Sequence, residues 1–229
     1  MRTIIIITCF LFSFGINAQK SKRKLRPILW TIHSKNTDII GASIGILPKE
    51  VFRDSTLTRT FGVRIEAPGL GLLLPLAPRS PISTSEKSYQ ASLHQEPIEV
   101  VYGINLSSGS LANTQINGIS GALIGQYLIK MNGISFATLG NLIERNNGIS
   151  VAIVGNETYK TNGISASISG NSTVKLNGMQ IGGYNETKHL NGVQIGIFNT
   201  SKKSKGIQIG LWNKNEKRTL PFINWNFKS

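Results

Sequence analysis

Between Ile116 and Asn213 large apolar and smaller polar residues alternate with a period of two, in runs that restart at regular intervals. In one run Ile207, Ile209 and Leu211 fall on one side, with Gln208, Gly210 and Trp212 on the other. Successive side chains of a strand point to opposite faces, so a period of two predicts strands. Nothing in this stretch recurs at the helical period. The first side is large and apolar in other runs too (Ile149, Val151, Ile153; Val193, Ile195, Ile197). The second opens on a polar residue: Ser120, Ser135, Ser150, Ser165, then Gln180, Gln194 and Gln208.

The runs are phased by glycine. Gly118, Gly133, Gly148, Gly163, Gly178, Gly192 and Gly206 are spaced by 15, 15, 15, 15, 14 and 14 residues. Tyr102-Gly103-Ile104-Asn105 stands one further period upstream as a degenerate first unit. Asn precedes the glycine in six of the seven units, which predicts a turn opening each strand, because both residues tolerate positive φ. A second fixed position holds Asn141, Asn156, Asn171, Asn185, Asn199 and Asn213, with Gln126 in the first unit. The longer units carry one extra residue just before it, Gly125, Gly140, Gly155 or Gly170, which predicts a bulge or corner.

This repeat predicts an all-β fold, a β-solenoid with 14-15-residue coils. Stacked coils place equivalent residues about 4.8 Å apart. Asn and Gln can then hydrogen-bond in ladders, which explains fixed identity at a fixed position. The alternative is an antiparallel β-meander or β-barrel, with the six-residue polar stretches, clearest at Thr200–Lys205, as loops. Residues 19-100 read as an N-terminal β region or cap and residues 101-229 as the repeat β domain. In the former, Asp38–Leu47 and Phe61–Glu66 resemble units, Ala67–Leu76 continues the second, and 77-98 reads as a loop or insertion. Pro221–Phe227 would close the far end.

Gly192-Val193-Gln194-Ile195-Gly196-Ile197-Phe198-Asn199 and Gly206-Ile207-Gln208-Ile209-Gly210-Leu211-Trp212-Asn213 resemble the G-[LIV]-Q-[LI]-G-[LIV]-x-N units of an uncharacterised bacterial surface-repeat family. The resemblance covers residues 117 to 213 and, less closely, 38 to 116. It implies an exported Gram-negative protein at the cell surface or outer membrane, with no assigned activity and no catalytic residues. The first four units depart from it, with Ser for Gln and an added Gly.

The N-terminus agrees with export. Residues 1-18 read as a signal peptide: Arg2, an apolar run from Thr3 to Gly15, and Ile16-Asn17-Ala18 as the cleavage site. The single Cys, Cys9, lies in that run and would leave with it. No later segment holds the about 20 apolar residues of a transmembrane helix. A barrel strand wants roughly 9–11 residues, longer than the strands read here.

Candidate chemistry is sparse. Gly69-Leu70-Gly71 lacks the third glycine and following helix of a nucleotide loop and reads as a turn. His33, His94 and His189 are scattered rather than at metal-ligand spacing, so no metal and no cofactor are expected. The Ser positions repeat identically, whereas a nucleophile is singular. Charge gives the one partner signal: 25 Lys and Arg against 11 acids, net +14. Lys20, Lys22, Arg23, Lys24 and Arg26 crowd the start of the mature chain. Lys160, Lys175, Lys188, Lys202, Lys203, Lys205, Lys214, Lys217 and Arg218 fall in polar repeat segments, which stacking would gather on one basic edge. Export favours an anionic envelope surface or an acidic polysaccharide over nucleic acid as its partner, with membrane association open. The expected function is therefore a structural or binding role without catalysis. An outer-membrane barrel or pore is the alternative, and a secreted enzyme stands last.

Overall fold

The computed structural model describes residues 23–227 apart from 77 and 112, so the segment read as a signal peptide lies outside the described residues. The strands are β1 (Lys24–Thr31), β2 (Thr37–Gly45), β3 (Thr58–Glu66), β4 (Glu99–Ser107), β5 (Ser110–Leu111) and β6 (Thr114–Ala122). They continue as β7 (Gly125–Ala137), β8 (Gly140–Ala152), β9 (Gly155–Ser167), β10 (Gly170–Lys214) and β11 (Thr219–Asn226). All belong to one open sheet that follows chain order, with short β5 set aside against β7. From β1 to β10 every pairing is parallel, and β11 alone turns back antiparallel onto β10. Parallel neighbours in chain order make the molecule an all-β solenoid. The antiparallel meander and the closed barrel are not what the chain forms.

The coils stack in the register that the glycines announce. Gly41, Gly62, Gly103, Gly118, Gly133, Gly148, Gly163 and Gly178 pair in succession. The N-terminal region thus shares its sheet with the repeats. Gly148 has φ +143°, and a Cβ there would lie 2.0 Å from the Gly133 carbonyl oxygen. Only glycine allows the stacked backbones to approach this closely.

Two expectations about the unit are corrected. The Asn-Gly pair does not open a strand at a turn; it sits inside an unbroken strand. The polar six-residue stretches are not loops either, since Thr200–Lys205 lies within β10. The breaks fall instead at residues 138–139, 153–154 and 168–169, immediately before the extra Gly of the longer coils. Where that residue is missing the corner tightens and β10 winds on through successive coils. Tightening requires glycine again: a Cβ on Gly196 would meet Gly182 O at 2.0 Å and Asn185 Nδ2 at 2.6 Å.

The interior is largely polar. Ser120, Ser135, Ser150, Ser165, Gln180, Gln194, Gln208 and the Asn column are buried, while Ile119, Phe136, Ile149, Ile181 and Ile209 lie exposed. In some coils the inward residues trade size, although Ser165 with Thr158 and Thr161, and Gln180 with Leu176, do not follow that pattern. Coils with Ser135 carry Leu128 and Met131, whereas the coil with Gln208 carries Ser201 and Ser204. An apolar cluster of Val101, Ile116, Leu128, Met131 and Ile143 fills the coils up to β8, and Leu176 and Leu190 are buried further along.

Two N-terminal readings also change. Leu70–Leu76 forms a 3-10 turn rather than more strand. The 77-98 loop contains a helix, α1 (Glu86–His94), opened by a capping box between Ser85 and Ser88. Tyr89 and Leu93 of α1, with Ile82, pack on Tyr127, Leu142, Tyr159 and Val174, covering one side of the middle coils. Among the described residues no helix is long and apolar enough to cross a membrane.

Candidate interaction surface

Each coil has a broad side and a narrow side joined by a bend. Leu128 and Met131 both point inward three positions apart, so Ile129 and Lys130 occupy the bend. From there the chain runs along the broad side, whose outward positions in β7 are Asn132, Ile134 and Phe136. Stacking turns them into columns. The first, Asn117, Asn132, Asn147, Asn162, Asn177 and Asn191, is tied by amide hydrogen bonds of 2.6–3.2 Å, each donating to the preceding coil. Next come Ile119, Ile134, Ile149, Ile164, Met179, Val193 and Ile207, then Phe136, Val151, Ala166, Ile181, Ile195 and Ile209.

This apolar sheet face continues at both ends. Ile223 and Trp225 of β11 pair with Ile209 and Ile207 and extend their columns. Towards β2 the Asn column is replaced by Ile40, Phe61 and Tyr102, with the Phe61 and Tyr102 rings stacked at 5.0 Å. The far corner is also apolar and open: Ile168 is 73 %, Leu211 63 % and Trp212 53 % exposed. A shallow trough of about 600 Å³ crosses the face between Leu106, Gly121, Leu123, Phe136, Val151 and Ile153. A contiguous apolar face of this kind makes the broad side the candidate interaction surface.

Six of the nine sequence-predicted basic residues fall on the bend, where Lys130 and Arg145, not named from the sequence, join them. Lys130, Arg145, Lys160 and Lys175 pair in register, one per coil. The same phase places His189, Lys203 and Lys217 next, with Lys188 and Lys202 beside them once α1 no longer covers the coil. Lys205 instead stands on the broad side, Lys214 on the narrow side, and Arg218 in the β10–β11 turn, where its Nη2 donates to Trp225 O at 3.0 Å. Lys175 is engaged by Glu86. His189, Lys203, Lys205, Glu216 and Lys217 line a hollow of about 550 Å³. Desolvation and the charges of Lys203, Lys175 and Lys188 hold the His189 pKa below its ordinary value.

Most acids are spent elsewhere. Asp38 is held well below the usual carboxylate range by Arg59 and Arg23. Glu66 and Glu99 lie buried against Arg64. Burial opposes the Arg64 charge, and the two carboxylates still hold its pKa above the ordinary range. Glu144 is buried and accepts from Ser83 N and Oγ at 2.9 Å. Desolvation raises its pKa although these bonds oppose the rise. No acid stands among the outward columns of the broad side between Tyr102 and Lys214.

The other candidates do not converge. His33 meets Ile46 O at 2.9 Å, and Gly71 N donates to Gly109 O at 2.8 Å. Among the described residues no three His, Cys, Asp or Glu side chains gather as a metal centre. Of the nine basic residues read as one edge, six share the bend and Lys205, Lys214 and Arg218 do not, and sequence reasoning missed the outward apolar face. Its available signal was the fixed identity of the small polar columns, which marks them as the hydrogen-bonded interior. Comparison with known proteins returned no match among family models, curated proteins or solved structures.

Proposed function

We propose that the chain is an exported, non-catalytic repeat protein serving as a binding or structural module at the bacterial surface or outer membrane. The observation that carries this reading is the broad side itself: a long, outward apolar face on a rigid ladder-filled solenoid. Leaving so many Ile, Phe and Trp side chains in water is costly, and such a face is maintained where something covers it. The basic bend beside it supplies long-range attraction for an anionic envelope. The leader-like N-terminus and the resemblance of the later units to exported surface repeats support the same destination.

The test is expression of the full chain in a Gram-negative host, followed by fractionation and intact mass. The reading expects a mature N-terminus at Gln19 and recovery with the envelope. Intact Met1–Ser229 in the cytoplasm would overturn it.

A further inference from the structure

We propose that the broad apolar face docks on an anionic lipid surface, lying on the bilayer interface without crossing it. This inference rests on the surface-module reading and names its partner. Three features of the molecule converge on lipid.

Charge is the first. The face carries no acid between Tyr102 and Lys214, and it is bordered by one basic residue per coil from Lys130 to Lys175. Past α1 the border doubles, with Lys188 and Lys202 beside His189 and Lys203, around a hollow of about 550 Å³. Amphipathic elements that lie in the membrane interface combine an apolar face with such a Lys/Arg flank. A lysine or arginine near an anionic leaflet strengthens binding roughly fivefold. A second copy of this chain, itself at net +14, would bring like-charged bends together.

The second feature is aromatic placement. Trp225 sits on the face in register with Ile207, and Trp212 and Tyr184 lie exposed at the apolar corner. Trp and Tyr are the side chains that settle at the headgroup level. The third is backbone satisfaction. The face is the outside of a hydrogen-bonded sheet, and in its Asn column one hydrogen of each amide from Asn132 to Asn191 is bonded at 2.6–3.2 Å, which lowers the polar cost of contact with lipid. The trough beside Phe136 and Ile153 has room for acyl chain segments.

The experiment mixes the purified full chain with vesicles of phosphatidylglycerol or of phosphatidylcholine, some with brominated acyl chains. Expected is cosedimentation with phosphatidylglycerol vesicles, with bromine quenching of tryptophan emission that persists when added salt weakens binding. Leu211→Ser with Trp212→Ser should lower partitioning at least tenfold and reduce the quenching while leaving the circular dichroism melt cooperative. Lys202→Ala with Lys203→Ala should cost roughly 25-fold on phosphatidylglycerol and little on phosphatidylcholine.

Absence of binding to phosphatidylglycerol overturns the proposal. So does binding without quenching that salt reverses completely, which means adsorption through the lysines alone. A lipid-independent dimer in sedimentation that Leu211→Ser with Trp212→Ser dissociates, without vesicle binding, assigns the face to a second copy and also overturns it. If the chain ignores vesicles yet still fractionates with the envelope, the lipid inference fails and the surface-module reading stands. Cytoplasmic retention of the intact chain removes that reading instead.

Discussion

A buried asparagine is tolerated inside a protein only when its oxygen and both amide hydrogens are satisfied. Asn171 meets that condition: Nδ2 donates to Asn185 Oδ1 and to Ile181 O at 2.9 Å, and Oδ1 accepts from Asn156 Nδ2 at 2.9 Å. The same three bonds recur along the column, and they form part of a longer chain. Arg64 Nη1 donates to Asn105, Asn105 to Ser120, Ser120 to Gln126, and Gln126 to Asn141, after which the Asn ladder continues to Asn213. Every donor points towards the C-terminus, so successive bonds polarise one another. The inner Gln ladder runs the opposite way, from Gln208 through Gln194 to Gln180. It ends where the repeats end, which leaves Gln208 Oε1 without a partner. Replacing Asn171 by Leu would orphan groups on both neighbours, each costing about 1–3 kcal/mol. Urea titration should show that loss, against less than about 1 kcal/mol for Lys160→Ala on the bend. Glycine makes a parallel case. Gly148→Ala drives a Cβ to 2.0 Å from Gly133 O at φ +143° and should destabilise by more than about 2 kcal/mol. Gly121, whose added Cβ would meet nothing nearer than Leu106 Cδ2 at 3.5 Å, is the control. Its change to alanine should stay within about 1 kcal/mol.

At the scale of elements, the helix α1 is fastened by a carboxylate. Glu86 accepts from Tyr159 Oη at 2.9 Å and from Gln90 Nε2 at 2.7 Å, and it pairs with Lys175. Lys175 first, then Gln90 and Tyr159, lower its pKa from the ordinary 4.5 to about 2. A depressed carboxylate stabilises docking fully above its unfolded value and loses that contribution as pH falls through the folded one. The protection factors of the α1 amides, exchange rates corrected for intrinsic pH dependence, should therefore hold steady above about pH 4.5 and fall towards pH 2. Glu144 shifts the other way, so the measurement is the difference between wild type and Glu86→Gln, whose profile should be flatter. Anything but a flatter profile would detach Glu86 from the docking of α1. Neither this helix nor its contact was legible in residues 77-98, because Ser85 as N-cap and Ser88 at the box position stand in a Pro- and Ser-rich setting that also reads as loop. The coils were more legible. Fixed identity at Asn141, Asn156 and Asn171 announced a ladder, and near-constant spacing announced stacking. The direction of the two faces was not, since strict alternation treats them alike. It is carried by what faces each Ser or Gln across the coil, Leu128 and Met131 for Ser135 and Ser201 and Ser204 for Gln208. Those pairs become visible only after the polar stretch is accepted as a second strand. The corner was half legible: the extra glycine marked its place, while the Asn-Gly pair pointed to a turn that the parallel register does not need.

For the whole molecule, parallel stacking in chain order makes stability a sum of coils and of contacts between neighbours. The two ends of the solenoid are treated differently. At the C-terminal end β11 folds back antiparallel with a register shift between Gly210 and Asn213, which stops further coils from adding in phase. At the other end β1 carries Ile28 at φ +71° and exposes Leu25, Ile28 and Leu29. Between these ends the coils that follow α1 touch only their neighbours, so one of them can be removed. Deleting Gly192–Lys205 takes out one 14-residue coil and joins Asn191 to Gly206. In the shortened chain Asn185 meets Asn213, Gln180 meets Gln208, and the apolar columns close up like for like. The variant should remain soluble and β-rich by circular dichroism and melt cooperatively, with stability lower by one coil and one interface. Deleting only Gly192–Phe198 is the stringent comparison. That removes half a coil and turns every later inward Asn and Gln out of its ladder, so this variant should fail to fold. If both deletions behave alike, whether tolerated or collapsed, the columns do not set the register and the solenoid account of stability is wrong.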